Sequence, residues 1–283
     1  LPRQRSIISM IHVVDKNYTI NYRLIMNTEM IKVFWRPGWT SCLRTKEFLS
    51  IREIDFVSID IQKQPDAWTE LKKLGAESIP VVSRGNDWTY AQILTDVSDF
   101  LDIEAPTNGI LSGPELVVML DMILAAAQRY IRQLPTSELD KNVRNRNRTL
   151  GHLANHIFRI PEGFLSAAQG GELSYDFLAK GQDSWMKTGN DIARFGDDIR
   201  QQVKDWWFKN LDVECTETVV KTYYGDRQMY EVLERTCWHS GQHVRQIMML
   251  LEEDFGIQPD QPLTADDFAG LPMPEKTWDD EPE

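Results

Sequence analysis

Four of the five histidines in this chain fall into two pairs of identical spacing, His152 and His156 in "GHLANH" and His239 and His243 in "WHSGQH". Residues i and i+4 share one face of an α-helix, because each residue turns the helix by about 100°. Neutral imidazole is the commonest metal ligand, and helix-bundle cores build metal sites from side chains on facing helices. Three imidazoles on one ion leave a position open for water or substrate, the arrangement of a catalytic site. The competing reading is a set of hydrogen-bonded core histidines, and spacing alone does not decide between them.

The apolar stripes say which imidazoles turn inward. On the last helix His239 and His243 fall in line with Met229, Val232, Ile247 and Leu250. On the earlier one the stripe runs through Leu153, Ile157, Ile160 and Phe164, with His156 at its edge and His152 turned about 40° further toward solvent. The expected inward set is therefore His156, His239 and His243.

A second candidate is Cys42, in "FWRPGWTSCLRTKEFL" at 34–49. It sits near the start of an expected helix, where free N–H groups and the macrodipole favour a thiolate. Alternatively it lies one position too deep and packs under a sheet. Cys215 and Cys237 read as small buried hydrophobes.

The elements that must carry these residues divide the chain. At 283 residues it exceeds the usual size of one domain. From Ile31 the pattern runs β-α-β-α-β-β-α, through "IKVFW", a helix over 41–51, "IDFVSID", a helix over 65–74 closed by Gly75, "IPVVS", the turn "RGND" and a helix ending near Leu101. That order implies a mixed sheet with helices on its faces. "SGPE" at 112–115 has the capping-box form and opens a long helix to about Leu134, followed by helices at about 149–168, 190–209 and 226–253. The second half reads as a four-helix bundle, with a strand-like excursion in "CTETVVKTYYGD". The resulting division is an N-terminal extension 1–29, an α/β unit 30–102, a linker 103–112, an all-α unit 113–255 and an acidic, Pro-rich tail 256–283.

Bulk charge narrows the function. A net charge of -12 opposes a phosphate-tracking surface, and the basic run "KNVRNRNR" at 141–148 reads as a solvated connector, so no nucleic-acid partner is expected. No apolar run reaches the roughly 18 residues of a membrane span, and "SIISMIHVV" is too short for a secretory core. Three cysteines in so large a chain fit a reducing compartment, so the protein is expected to be cytoplasmic.

Residues 30–102 resemble the glutaredoxin branch of the thioredoxin fold. "WRPGWTSCLR" stands where glutaredoxin-like proteins have W-R-P-G-C-x-x-C, and "SIP" at 78–80 where they have T-V-P. "TSCLRTK" is also similar to Spx and arsenate-reductase-like proteins. The resemblance implies a cis Pro80 against the active-site loop and a glutathione groove formed at Trp39, Thr40, Ser41, Ile79 and Pro80. Trp39 occupies the position of the first, nucleophilic cysteine, so Cys42 has no partner thiol in the motif for disulfide exchange. Residues 113–255 look like the DinB/YfiT family of metal-binding four-helix bundles. "RTLGHLANH" maps that family's helix-two ligand onto His156, and "CWHSGQHVRQI" maps its H-x-x-x-H motif onto His239 and His243. This implies a divalent metal, zinc foremost with nickel, iron or manganese as alternatives. Several branches are transferases or isomerases that use mycothiol, bacillithiol or glutathione.

Together these imply a metal- and thiol-dependent S-transferase or isomerase, with glutathione as cosubstrate and a small electrophile as substrate. The alternative is a thiol-binding redox-regulatory protein that uses Cys42, with the metal purely structural. A homodimer is compatible with either.

Overall fold

The computed structural model describes residues 30–106, 111–144, 146–211 and 216–279. The expected extension 1–29 and Cys215 lie outside the described residues.

The first unit contains β1 (Ile31–Trp35), α1 (Thr40–Ile51), β2 (Val57–Asp60), α2 (Ala67–Leu74), β3 (Val81–Arg84), β4 (Asp87–Tyr90) and α3 (Leu94–Leu101). Its sheet has the order β2-β1-β3-β4, with β1 and β2 parallel and the other pairs antiparallel. The mixed sheet read from the sequence is therefore present. β1 runs through its centre, and Val33, Phe34 and Trp35 are all buried, as a strand covered on both faces requires. Gly75 closes α2 in the left-handed region, at φ 88°. The Ile79–Pro80 bond is cis.

The rest of the chain is mainly helical: α4 (Gly113–Gln133), α5 (Leu150–Ala168), β5 (Glu172–Leu173), α6 (Tyr175–Ala179), α7 (Gly189–Lys209), β6 (Val219–Thr222), β7 (Gly225–Gln228) and α8 (Met229–Glu253). Ser112 and Glu115 stand as a capping box at the start of α4, and the Ser112 amide donates to the Glu115 carboxylate at 2.7 Å. α4 and α5 each pack against both α7 and α8, enclosing a core that includes Leu120, Leu124, Ile157, Phe158 and Ile247. Gly196 on α7 lets the Phe158 ring approach closely; a Cβ there would lie 2.3 Å from its Cζ. The strand-like excursion is a β6–β7 hairpin, and β5 pairs parallel to β6. Among the described residues no helix is long and apolar enough to cross a membrane.

The C-terminal segment packs onto both units. The Leu263 amide donates to Tyr130 Oη at 2.9 Å, and the amides of Glu275 and Lys276 donate to the Glu47 carboxylate of α1 at 2.8 and 3.1 Å. Arg44 of α1 lies 3.8 Å from the centre of the Trp238 ring on α8. The two units thus share a polar, cation-stacked seam.

Replacing Gly196 by Ala drives a methyl into a fully buried ring. The expected loss is about 1–3 kcal/mol, read as a lower urea midpoint with an unchanged m-value.

Candidate functional site

α5 and α8 bring three imidazoles together. His156, His239 and His243 are all buried, and one nitrogen of each lies within 4.8 Å of the others. Ring centres are 5.4 Å apart for His156 and His239 and 5.0 Å for each other pair. His152 stays at the edge, 6.5 Å from His156, as its helical phase requires.

Burial keeps these rings neutral. Desolvation holds His156 and His239 well below the usual imidazole range and His243 down at about 3. The Arg148 charge pushes all three the same way, and Arg235 adds to it at His239. Their lone pairs are therefore not occupied by protons at neutral pH. Nδ1 of His156 and Nδ1 of His239 are buried without a protein partner. A cluster of neutral, under-satisfied nitrogens fits a divalent cation, which takes neutral imidazole as a ligand.

The third ring is oriented from behind. Gln246 Oε1 lies 2.8 Å from His243 Nδ1, while Gln246 Nε2 donates to the Thr277 carbonyl at 3.1 Å. That carbonyl can only accept, so the amide must turn its oxygen toward the ring. His243 Nδ1 then carries the hydrogen and Nε2 keeps the lone pair.

The loop between β1 and α1 faces this cluster. Gly38, at φ 77°, turns the chain so that Trp39 caps α1 and its carbonyl accepts from the Cys42 amide at 2.9 Å. Ser41 Oγ donates to Gln92 Oε1 at 2.8 Å, and Gln92 Nε2 donates to the Ile79 carbonyl at 2.9 Å. Trp39, Thr40, Ser41 and Gln92 on one side and the three histidines on the other line one cavity of about 60 Å³. A larger groove of about 330 Å³ opens behind it, bordered by Ser78, Ile79 and Trp68. Pro80 is buried next to Ile79. Trp39, Tyr175 and Tyr223 border both spaces, with ring centres 5.5 and 5.9 Å apart in that order.

Residues 31–87 match the glutaredoxin family model. Thus the sheet, the Trp39 loop and the cis-Pro80 segment form a glutaredoxin-like, thioredoxin-fold region, which points to thiol-based redox or glutathione-related chemistry. The match ends within β4 and takes in none of the histidines. No curated protein matches the chain.

Within the glutaredoxin-like region Cys42 does not reach the cavity. It has no exposed surface, packs in the core with Phe34 and Val81, and burial pushes its thiol up to about 12. Of the two readings open for Cys42 this is the packed one: the helix-terminus field that would lower its pKa is local, and desolvation by the packed sheet is larger. Cys237 is likewise a buried free thiol.

Several cavity residues escape sequence reasoning. Arg148 belongs to the basic run read as a solvated connector, whose Arg146 is buried and donates to the Asp279 carbonyl. Tyr223 comes from the β6–β7 turn and Tyr175 from α6, while behind the cavity Thr277 of the tail accepts from Gln246. One usable signal was present: Arg235 precedes His239 by four, on the same helical face.

Gln246→Leu, which removes the acceptor at His243 Nδ1, should weaken zinc affinity by about 10–100-fold in competition with a chromophoric chelator, with the circular dichroism spectrum unchanged. The metal-free protein should also be acid-sensitive. The unfolded imidazole titrates near 6.5 and folded His243 near 3, so the unfolded state binds the extra proton in that window. Stability is level above about pH 6.5 and falls toward pH 3, by at most about 1.4 kcal/mol per pH unit for each such histidine. Urea midpoints at pH 7.5 and 5 should therefore differ more for wild type than for His243→Gln.

Proposed function

We propose that the chain is a metal- and thiol-dependent transferase or isomerase that acts on a small electrophile, with glutathione as the thiol. The observation that carries this reading is the shared cavity: the loop where a glutaredoxin presents its reactive sulfur faces a buried three-histidine cluster. In this reading residues 30–102 form a thiol-binding domain and residues 113–255 a DinB-like four-helix bundle.

The thiol lies in the groove beside Trp39, Ile79 and Pro80, whose volume suits a tripeptide. Its cysteinyl end passes Trp39 toward the histidines. Thr40 and Ser41 meet it at the start of α1; the buried Thr40 Oγ1 has no protein partner and is available to a ligand. His156, His239 and His243 hold a divalent metal, zinc foremost. When bound, the metal supplies Lewis acidity that lowers the pKa of a thiol and polarises a substrate oxygen. The aromatic wall of Trp39, Tyr175 and Tyr223 restricts water around the sulfur.

The other reading, redox regulation through Cys42, would require a thiol that burial holds protonated to open to solvent. Its environment favours packing over exchange.

Metal content of purified wild type should be near one equivalent per chain and should be lost in His239→Ala and His243→Ala. Glutathione conjugation to 1-chloro-2,4-dinitrobenzene should fall by about 100-fold or more, or about 3 kcal/mol in the barrier, in the histidine variants, and should persist in Cys42→Ser. Activity that follows Cys42 instead would sink the metal reading.

A further inference from the structure

The cavity between the Trp39 loop and the histidine cluster carries an unusual charge balance. The chain is acidic, at a net -12, yet the described residues lining this space include Arg148 and Arg235 and no carboxylate. Arg235 is only 2% exposed. A guanidinium so buried is ordinarily matched by an acid, because an unpaired charge is costly in a low-dielectric interior.

Among the described residues the hydrogen-bond partners of Arg235 are neutral. Its Nε donates to Gln92 Oε1 at 3.1 Å and its Nη2 to Tyr223 Oη at 2.8 Å, while the Tyr223 and Tyr224 rings flank it at 5.7 and 5.2 Å. Among the described residues Nη1 has no hydrogen-bond partner. The adjacent acid, Glu234, turns instead toward Arg44 and Tyr230. Because Tyr223 Oη accepts from Arg235, its own O–H remains to donate. Thr40 Oγ1 is also without a partner. Arg235, Tyr223 and Thr40, each with a donor that no described residue takes up, thus line one cavity of about 60 Å³.

We infer that this cavity is a carboxylate site, in which Arg235, Tyr223 and Thr40 bind a carboxylate of the reacting molecules beside the histidine cluster. A small, flat, two-oxygen anion can accept from Nη1 with one oxygen and from a neighbouring hydroxyl with the other. The inference deepens the transferase or isomerase reading and takes its reaction from it, but the anion contact stands without a metal.

The test uses the full-length, 15N-labelled protein after metal chelation, following the Trp39 indole and Arg235 Nε–Hε signals. Propionate should saturate both signals at a Kd at least tenfold below that of propionamide, its neutral isostere. Arg235→Gln should abolish that preference, and Arg132→Gln on the surface should leave it intact. Equal binding of the two probes, binding of neither, or tighter binding of inorganic phosphate would overturn the carboxylate site. The wild-type comparison stands even where Arg235→Gln fails to fold. Saturating S-methylglutathione then separates the sources: displaced propionate assigns the carboxylate to the thiol, and undisturbed propionate assigns it to the electrophile. Because no metal is present, failure of the metal reading and failure of this site are separate outcomes.

Discussion

The arrangement of the cavity depends on one side-chain amide. Gln92 is 1% exposed, and a primary amide in that position must have its hydrogen-bonding groups met. Its oxygen accepts from Ser41 on α1 and from Arg235 on α8, its nitrogen donates to Ile79 beside the cis bond, and its backbone carbonyl accepts from Arg44. Four contacts therefore fix the Trp39 loop, the Pro80 segment and the histidine helix relative to one another. Removing the amide would leave Arg235 Nε without its acceptor, a penalty of about 1–3 kcal/mol. A hydrophobic seam would bind the units with less demand on register; a shared amide accepts one geometry only.

α8 bears the consequences of that geometry along its whole length. One face buries Val232, Ile247 and Leu250 in the helical core, and the same helix presents Arg235, His239 and His243 to the cavity. Between them Trp238 lies under Arg44, whose own pKa is lowered to about 9 chiefly by burial. A guanidinium on an indole face regains by cation–π attraction part of what it loses in hydration. The helix is hence nearly all buried over 235–244, and its sequence, "RTCWHSGQHV", is polar where a plain core helix would be aliphatic. Gly241 belongs to the same compromise, since a Cβ there would approach the Phe268 ring to 3.2 Å.

Local rules made much of this legible. The 100° advance per residue placed His156 inward and His152 outward, because a helical phase depends only on neighbours in sequence. Alternation and turn residues read the β-α-β-α-β-β-α order, since each element of that unit carries its own periodic signal. The resemblance of "WRPGWTSC" to glutaredoxins agreed with the family match over 31–87. What could not be read depends on contacts between distant segments. Arg146 and Asp279 meet across 133 residues, Gln246 and Thr277 across 31, and Arg235 and Gln92 across 143. A basic run and a Pro-rich acidic tail each look solvated alone; their burial follows from their packing together. Cys42 is the converse case, with a correct local field overridden by burial.

Trp39 makes the division of labour in the cavity intelligible. An indole in the position of a glutaredoxin nucleophile has no group that attacks a disulfide, and Cys42 one turn further on is sealed in the core. The loop nonetheless has an ordered geometry, built on the Gly38 turn, the Ser41–Gln92 contact and the Ile79–Pro80 segment, and on the proposed reading this holds a thiol ligand. If that region binds a thiol, then with no sulfur of its own at the loop it must draw reactivity from elsewhere. The candidate groups across the cavity are the three neutral imidazoles and the Arg235 guanidinium, all outside the glutaredoxin match. On the proposed reading the indole acts as a wall that directs a bound thiol toward them, so that the two units form a single site neither supplies alone.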